Sequence, residues 1–170
     1  MKEDFVDSLL LQWGEEHPDK DVSSLSVVVR LQFLNKLLQR QTTAALARHG
    51  LKHWEYDVLS VLRRQGEPFE LPATEIARAA MLTTGAMTTR IDRLEARGLV
   101  RRRKSRKDGR SVPVRLTIRG RQLIDFAIDT RLNQADEALA NISAIDQQRL
   151  AADLRTLLLE FDNVALASGG

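Results

Sequence analysis

The hydrophobic period of this chain changes at Gly98, and that change limits the fold more than any other feature. Before it, Met87, Ile91 and Leu94 recur at helical spacing. After it, Leu99-Val100-Arg101-Arg102-Arg103-Lys104 and Ser111-Val112-Pro113-Val114-Arg115-Leu116-Thr117 alternate with a period near two, and Ser105 to Arg110 joins them through Asp108-Gly109. The pattern predicts a helix feeding a β-hairpin with a basic tip. Pro113 cannot donate a ladder hydrogen bond, so its strand is expected to turn that position to an open edge.

Two closely spaced helical pieces lead into the hairpin, Ala73–Ala80 and Thr84–Arg97, joined by Met81-Leu82-Thr83. Thr83 is suited to cap the second piece by accepting from its free N–H groups, which makes the pair a helix-turn-helix. One face of the second piece is apolar; the other carries Thr84, Gly85, Thr88, Thr89 and Arg93. A small, hydroxylated and basic face fits a DNA major groove, where Thr and Arg reach phosphates and base edges. Gly85 near the first turn lets backbone approach a partner closely.

Charge points the same way. Residues 90–110 hold ten basic and three acidic residues, whereas residues 1–20 hold two and six, and residues 121–170 hold four and eight. A basic segment within a chain whose ends are acidic marks a polyanion-binding face or, read more plainly, a solvated arginine-rich surface.

The remainder is helical. Phe5, Val6, Leu9, Leu10 and Trp13 predict a short amphipathic helix that stops near Gly14. A long helix from about Val22 to His49 repeats Val27, Leu31, Leu34 and Leu38 at steps of four, three and four and ends at Gly50; a third runs from Trp54 to Gln65 with Val58, Leu59 and Leu62 inward and ends at Gly66. Glu67 to Pro72 is too rich in proline for more than a short extended segment. From about Ile118 a helix carries a heptad-like seam, Ile128, Leu132, Ala135, Leu139 and Ile142. Ser143 and Asp146 form a capping box for a last helix with Leu150, Leu154, Leu157, Leu158 and Phe161 on one face, and Ala167 to Gly170 is expected to be a loose tail. The fold class is mainly α with a small β-hairpin wing, a winged helix-turn-helix flanked by long helices.

Several functions are excluded or disfavoured. With no cysteine, the chain has no disulfide, zinc knuckle or thiol nucleophile. His49 and His53 are four apart but separated by Gly50, and His17 is the only other imidazole, so no metal site is expected. No nucleophile–base pair, carboxylate pair or phosphate-cradling glycine loop has suitable spacing, so neither an enzyme nor a bound cofactor is expected. The longest apolar run near the start, Leu9 to Leu11, is too short for a signal peptide or membrane span, and the expectation is a soluble cytoplasmic protein without a membrane partner.

The string from Asp108 to Gly120, with Asp108, Arg110, Leu116-Thr117 and Gly120, resembles the wing signature of the MarR family of winged-helix regulators. Ile91 to Val100 is similar to the family's recognition-helix exit. The resemblance covers almost the whole chain, 1–170. It implies a DNA-binding lobe at 50–117 and a helical dimerisation region at 1–49 and 118–163. It also implies a homodimer on a pseudo-palindromic operator in double-stranded DNA, with half-sites ~34 Å apart. Thr83, Thr84, Gly85, Thr88, Thr89 and Arg93 would contact DNA, with Arg106, Lys107, Asp108 and Arg110 in the wing. In this reading Asp108 holds the wing and Arg110 enters the minor groove.

The added N-terminal helix, with Leu9 to Trp13 and then Pro18-Asp19, resembles the HucR and PecS branch, which includes urate-responsive repressors. The branch's ligand and relay residues fall here on Trp13, Asp57, Arg90 and Arg102. That implies a repressor released by a small aromatic anion such as urate or a related purine: the anion stacks on Trp13, a guanidinium grips its oxygens, and Asp57 is repelled from an arginine partner. Two alternatives stay open. One is a MarR-type repressor answering to a phenolic or aromatic carboxylate ligand. The other is a winged-helix protein-interaction module without sequence-specific DNA binding.

Overall fold

The computed structural model describes residues 2–80, 82–103 and 112–168, the last seven of these by backbone alone. The elements are α1 (Phe5–Glu16), α2 (Leu25–Arg48), α3 (His53–Arg63), β1 (Glu70–Pro72), α4 (Ala73–Ala79), α5 (Thr84–Ala96), β2 (Val100–Arg102), β3 (Pro113–Leu116), α6 (Ile118–Leu139) and α7 (Ala144–Ser168). The chain divides into two compact units, Met1–Ile128 and Asp129–Gly170, with the division inside α6.

In the first unit the core is built from Leu46, Leu59, Leu62, Ile76, Met87, Ile91, Leu94, Leu99 and Ile124, all inaccessible to solvent. Thus the helix-turn-helix, the strand after it and the start of α6 share one interior. Gly50 and Gly98 adopt left-handed backbone at the ends of α2 and α5. This lets the Leu51 and Leu99 N–H groups return to the Leu46 and Leu94 carbonyls.

The sheet has three antiparallel strands in the order β1-β3-β2, so the short extended segment before α4 is a strand and the wing hairpin is not alone. This corrects the expected position of Pro113, which opens the central strand. The strand tolerates it because the proline is its first residue. Pro113 faces Pro72 on one side, and on the other its carbonyl accepts from the Arg103 N–H while no bond returns.

At the start of α6, Thr117 accounts for the Leu-Thr-x-x-Gly string. Its hydroxyl donates to the Gly98 carbonyl at 2.7 Å and accepts from the Gly120 N–H at 2.9 Å. The first turn of α6 thereby lies directly on the Leu99 peptide, and a Cβ on residue 120 would fall 1.9 Å from the Leu99 carbonyl oxygen.

Helix α1 runs through Gly14 to Glu16, two residues past the expected stop. A single glycine weakens a helix by only about 1 kcal/mol. The helix is pinned at its other end, where Asp4 and Asp7 cap each other and Arg30 of α2 clasps both carboxylates, at 2.8 Å to Asp4 and 2.7 Å to Asp7. The Arg30 guanidinium is the main influence holding the Asp4 carboxyl below its ordinary value, against the desolvation that raises it. A carboxyl lowered in the folded state stabilises above its unfolded pKa, and that contribution is lost as pH falls through the folded value. Protection of the α1 amides, taken as their exchange rate relative to that of the unfolded chain at the same pH, is therefore expected to hold from neutrality to about pH 4 and to fall below it. Arg30→Gln should exchange faster already at neutrality; equal protection in both proteins would refute the clasp.

Along α2 the apolar stripe is open to solvent, with Val27, Leu34 and Leu38 about half exposed. Only Thr42, Ala45 and Leu46, near the end of α2, are buried. In the second unit the Ser143–Asp146 cap is present, with the Asp146 N–H bonded to the Ser143 hydroxyl at 3.2 Å. There Leu150, Leu157 and Leu158 lie open to solvent. Helix α7 continues to Ser168, so Ala167 and Ser168 belong to it rather than to a loose tail, and Gly169 and Gly170 lie outside the described residues.

Candidate nucleic-acid interface

Helix α5 begins at a cap formed as expected, with the Thr83 hydroxyl accepting from the Ala86 N–H at 3.4 Å. Its burial divides cleanly. Met87, Ile91 and Leu94 are fully buried, whereas Thr83, Thr84, Gly85, Thr88, Thr89 and Arg93 are exposed. The Thr88 and Thr89 hydroxyls rest on the Thr84 and Gly85 carbonyls one turn back, at 3.0 and 3.4 Å, so each still has lone pairs to offer a ligand. Nothing inside the chain requires glycine at 85, because a Cβ there would meet open space.

What sets the rotation of α5 was only partly legible. On one flank Arg90 lies over the Trp54 ring, 5.4 Å from its centroid. Seven residues on, along the same side of the helix, Arg97 pairs with Glu55 at 2.7 Å and donates to the Gly50 carbonyl at 2.9 Å. Glu55 is almost fully buried and also accepts from the Lys52 N–H at 2.8 Å, closing the first turn of α3. Sequence reasoning missed it; the Glu three residues after Lys52, at a helix start, was the available signal.

On the other flank Arg102 of β2 grips Asp92 at 2.5 Å and Glu95 at 2.6 Å, while its own N–H bonds Glu95 at 2.8 Å. Burial works against the Arg102 charge, but the two carboxylates outweigh it and raise its pKa. The helix is thus held from α3 and from the wing strand by residues that leave the Thr84–Arg93 face free.

The four residues assigned to a ligand are not joined to one another. Trp13, about half exposed, stacks on His17; Asp57 pairs with His53 at 3.2 Å rather than with an arginine; Arg90 and Arg102 are engaged as described. Arg106, Lys107, Asp108 and Arg110 lie outside the described residues. His49 follows the end of α2 and His53 opens α3, and among the described residues no group of three or more His, Asp or Glu could hold a metal ion. Among those residues no helix is long and apolar enough to cross a membrane.

Comparison with known proteins gives this geometry its context. Residues 49–111 match the MarR family profile. The transcriptional regulator PecS of Dickeya dadantii is 31% identical over 147 residues, 86% of this chain and 89% of that protein. Among solved structures, the MarR family regulator AbsC of Streptomyces coelicolor superposes with a TM-score of 0.74 at 21% identity, covering 85% of this chain and 97% of AbsC. A cysteine-to-serine mutant of E. coli MarR, solved with operator DNA, superposes with a TM-score of 0.68 at 21% identity over 86% of this chain and 97% of that one. With a winged helix-turn-helix whose outward face is polar and basic, and a relative this similar along nearly its whole length, the chain belongs to the MarR family of DNA-binding transcriptional regulators.

Proposed function

We propose that the protein is a homodimeric repressor that reads a pseudo-palindromic operator through α5 and leaves it when a small aromatic anion, urate or a related purine, binds. The observation that carries the DNA half is the exposed Thr84–Arg93 face on a helix clamped from both flanks. Preorganised donors on a rigid element give specificity at low ordering cost. Thr83, Thr84, Gly85, Thr88, Thr89 and Arg93 enter the major groove, and Arg106, Lys107 and Arg110 of the wing reach the flanking minor groove, with Asp108 steadying Arg110. The protein acts in the cytoplasm, where its DNA lies.

Dimerisation is supported by the apolar side chains each unit leaves exposed: Val27, Phe33, Leu34 and Leu38 on α2, and Leu150, Leu157 and Leu158 on α7. So much apolar surface is unusual for a free monomer, and a second copy is the occupant that the twofold symmetry of an operator also calls for.

The ligand half rests on the likeness to PecS and on Trp13, Asp57, Arg90 and Arg102 all being present. The contacts suggest how an anion would act. Arg90 holds α5 to Trp54, and Asp57 lies one turn further along α3. An anion that draws Arg90 from the Trp54 ring, or Arg102 from Asp92 and Glu95, removes one flank of the clamp and disfavours the DNA-bound orientation.

The test is fluorescence anisotropy on the gene's own upstream intergenic DNA at ~150 mM salt, with random duplex as competitor, followed by addition of urate, xanthine and salicylate. Specific binding released by urate, and no longer released in Trp13→Phe and Arg90→Ala proteins, is the expected result. Specific binding released only by salicylate would replace the purine with an aromatic carboxylate. Binding no tighter than to random duplex would remove the repressor.

A further inference from the structure

The side of the wing sheet turned away from α5 carries more positive charge than its one carboxylate, Glu70, balances. The register places Glu70, Arg115 and Arg101 in one row across β1, β3 and β2, and Arg103 follows Arg101 on the same face two residues on. Val100, Val114 and Leu116 point to the opposite face and are buried in the core. Arg101 and Arg103 are exposed and Arg115 is half-buried.

One carboxylate serves three guanidinium groups. Glu70 turns toward Arg103, at 3.6 Å from its Nη1, and its Oε2, though inaccessible to solvent, accepts no hydrogen bond among the described residues. Arg101 and Arg115 stand directly opposite each other on neighbouring strands. Neither side chain has an ion-pair or hydrogen-bond partner among the described residues. Like charges facing each other across a sheet destabilise it, so this arrangement works against the fold and invites an anion from outside.

We propose that this outer face of the sheet, with Arg101 and Arg115 at its centre and Arg103 beside them, is a binding surface for the phosphate backbone of duplex DNA. The inference rests on the duplex-binding reading above and extends it to residues that belong to neither the recognition helix nor the wing tip. Charge complementarity selects the occupant. A duplex presents phosphates at regular close spacing, and guanidinium forks match them with two parallel hydrogen bonds. Because phosphate carries no sequence information, the face contributes affinity and register rather than base discrimination.

The consequence is measurable without knowing the operator. Binding to a random-sequence duplex is followed from 50 to 200 mM salt for wild type and for Arg101→Gln/Arg115→Gln. Each phosphate that the protein no longer neutralises lowers the slope of log K against log salt by about 0.9, so the slope of the double variant should be shallower by about 1.8 per protomer. The matched Arg101→Lys/Arg115→Lys protein keeps the charge and should keep the wild-type slope.

The glutamine variant should melt no lower than wild type, since the charge confrontation is gone. A structural role for the two arginines predicts the reverse: a lower melting temperature with the slope unchanged. An unchanged slope in the glutamine variant overturns the proposal, and so does lost binding to polyglutamate with DNA binding intact, which would assign the face to an acidic protein. Failure of the repressor reading is read separately, as equal affinity for operator and random duplex.

Discussion

Arg93→Ala is expected to weaken operator binding by at least about 30-fold while leaving the melting temperature where it was. Arg93 is exposed on α5 and takes part in neither flank of the clamp, so the fold should notice its loss by no more than about 0.5 kcal/mol. A well-formed arginine contact to a base edge is worth about 1–3 kcal/mol. A twofold dimer makes it twice, and about 2 kcal/mol, the lower bound of the sum, is about 30-fold in affinity. Binding to random duplex should change far less, which separates a base contact from a phosphate contact. Operator affinity within twofold of wild type would take Arg93 out of the interface.

Gly120→Ala should have the largest effect on the fold. The added methyl group would sit 1.9 Å from the Leu99 carbonyl oxygen and 2.9 Å from its carbon. Those are backbone atoms, which cannot rotate aside, so α6 must lift from the strand. That movement breaks the Thr117 bonds to Gly98 and Gly120 and opens the core around Leu99 and Ile124. Overpacking of this kind costs about 3 kcal/mol or more, a fall of roughly 10 °C for a unit of this size.

Gly85→Ala is the matched control. Its methyl group meets open space, alanine favours a helix over glycine by about 1 kcal/mol, and the melting temperature should hold or rise while operator binding weakens. Equal melting temperatures for wild type and Gly120→Ala would show that the close approach to Leu99 does not exist in solution.

The parts of the molecule legible in the sequence are those set by neighbours along the chain. The Thr83 cap, the buried and exposed faces of α5 and the glycine turns at 50 and 98 all depend on residues a few positions apart, and all are present. The Leu-Thr-x-x-Gly string could be matched as a pattern, but its reason, the Leu99 carbonyl beneath Gly120, needs residues about twenty positions apart to meet.

Longer separations were hidden. Glu55 and Arg97 lie 42 positions apart, and a buried glutamate beside an exposed-looking arginine leaves no periodic trace. The third strand was legible only as a short extended segment, because three residues ending in proline carry no alternation, and without its pairing to β3 the place of Pro113 in the sheet was misjudged.

The Asp57 carboxylate shows a different limit. A histidine one turn earlier on the same helix is close to it whatever the rest of the fold does, and in the structure that local partner holds it. For α2, the apolar stripe was legible from its spacing, and the family resemblance put that helix in a dimerisation region. The exposure of the stripe supports the proposed dimer.

The central claim is that this chain reads duplex DNA as a twofold dimer through α5. Hydroxyl-radical footprinting on the gene's upstream intergenic DNA at ~150 mM salt tests it most directly. The account predicts two protected patches, centred about one helical turn (~34 Å) apart and related by a pseudo-palindrome, and it predicts that Arg93→Ala erases both at wild-type protein concentration. A single protected patch, or uniform weak protection that Arg93→Ala leaves untouched, would contradict it.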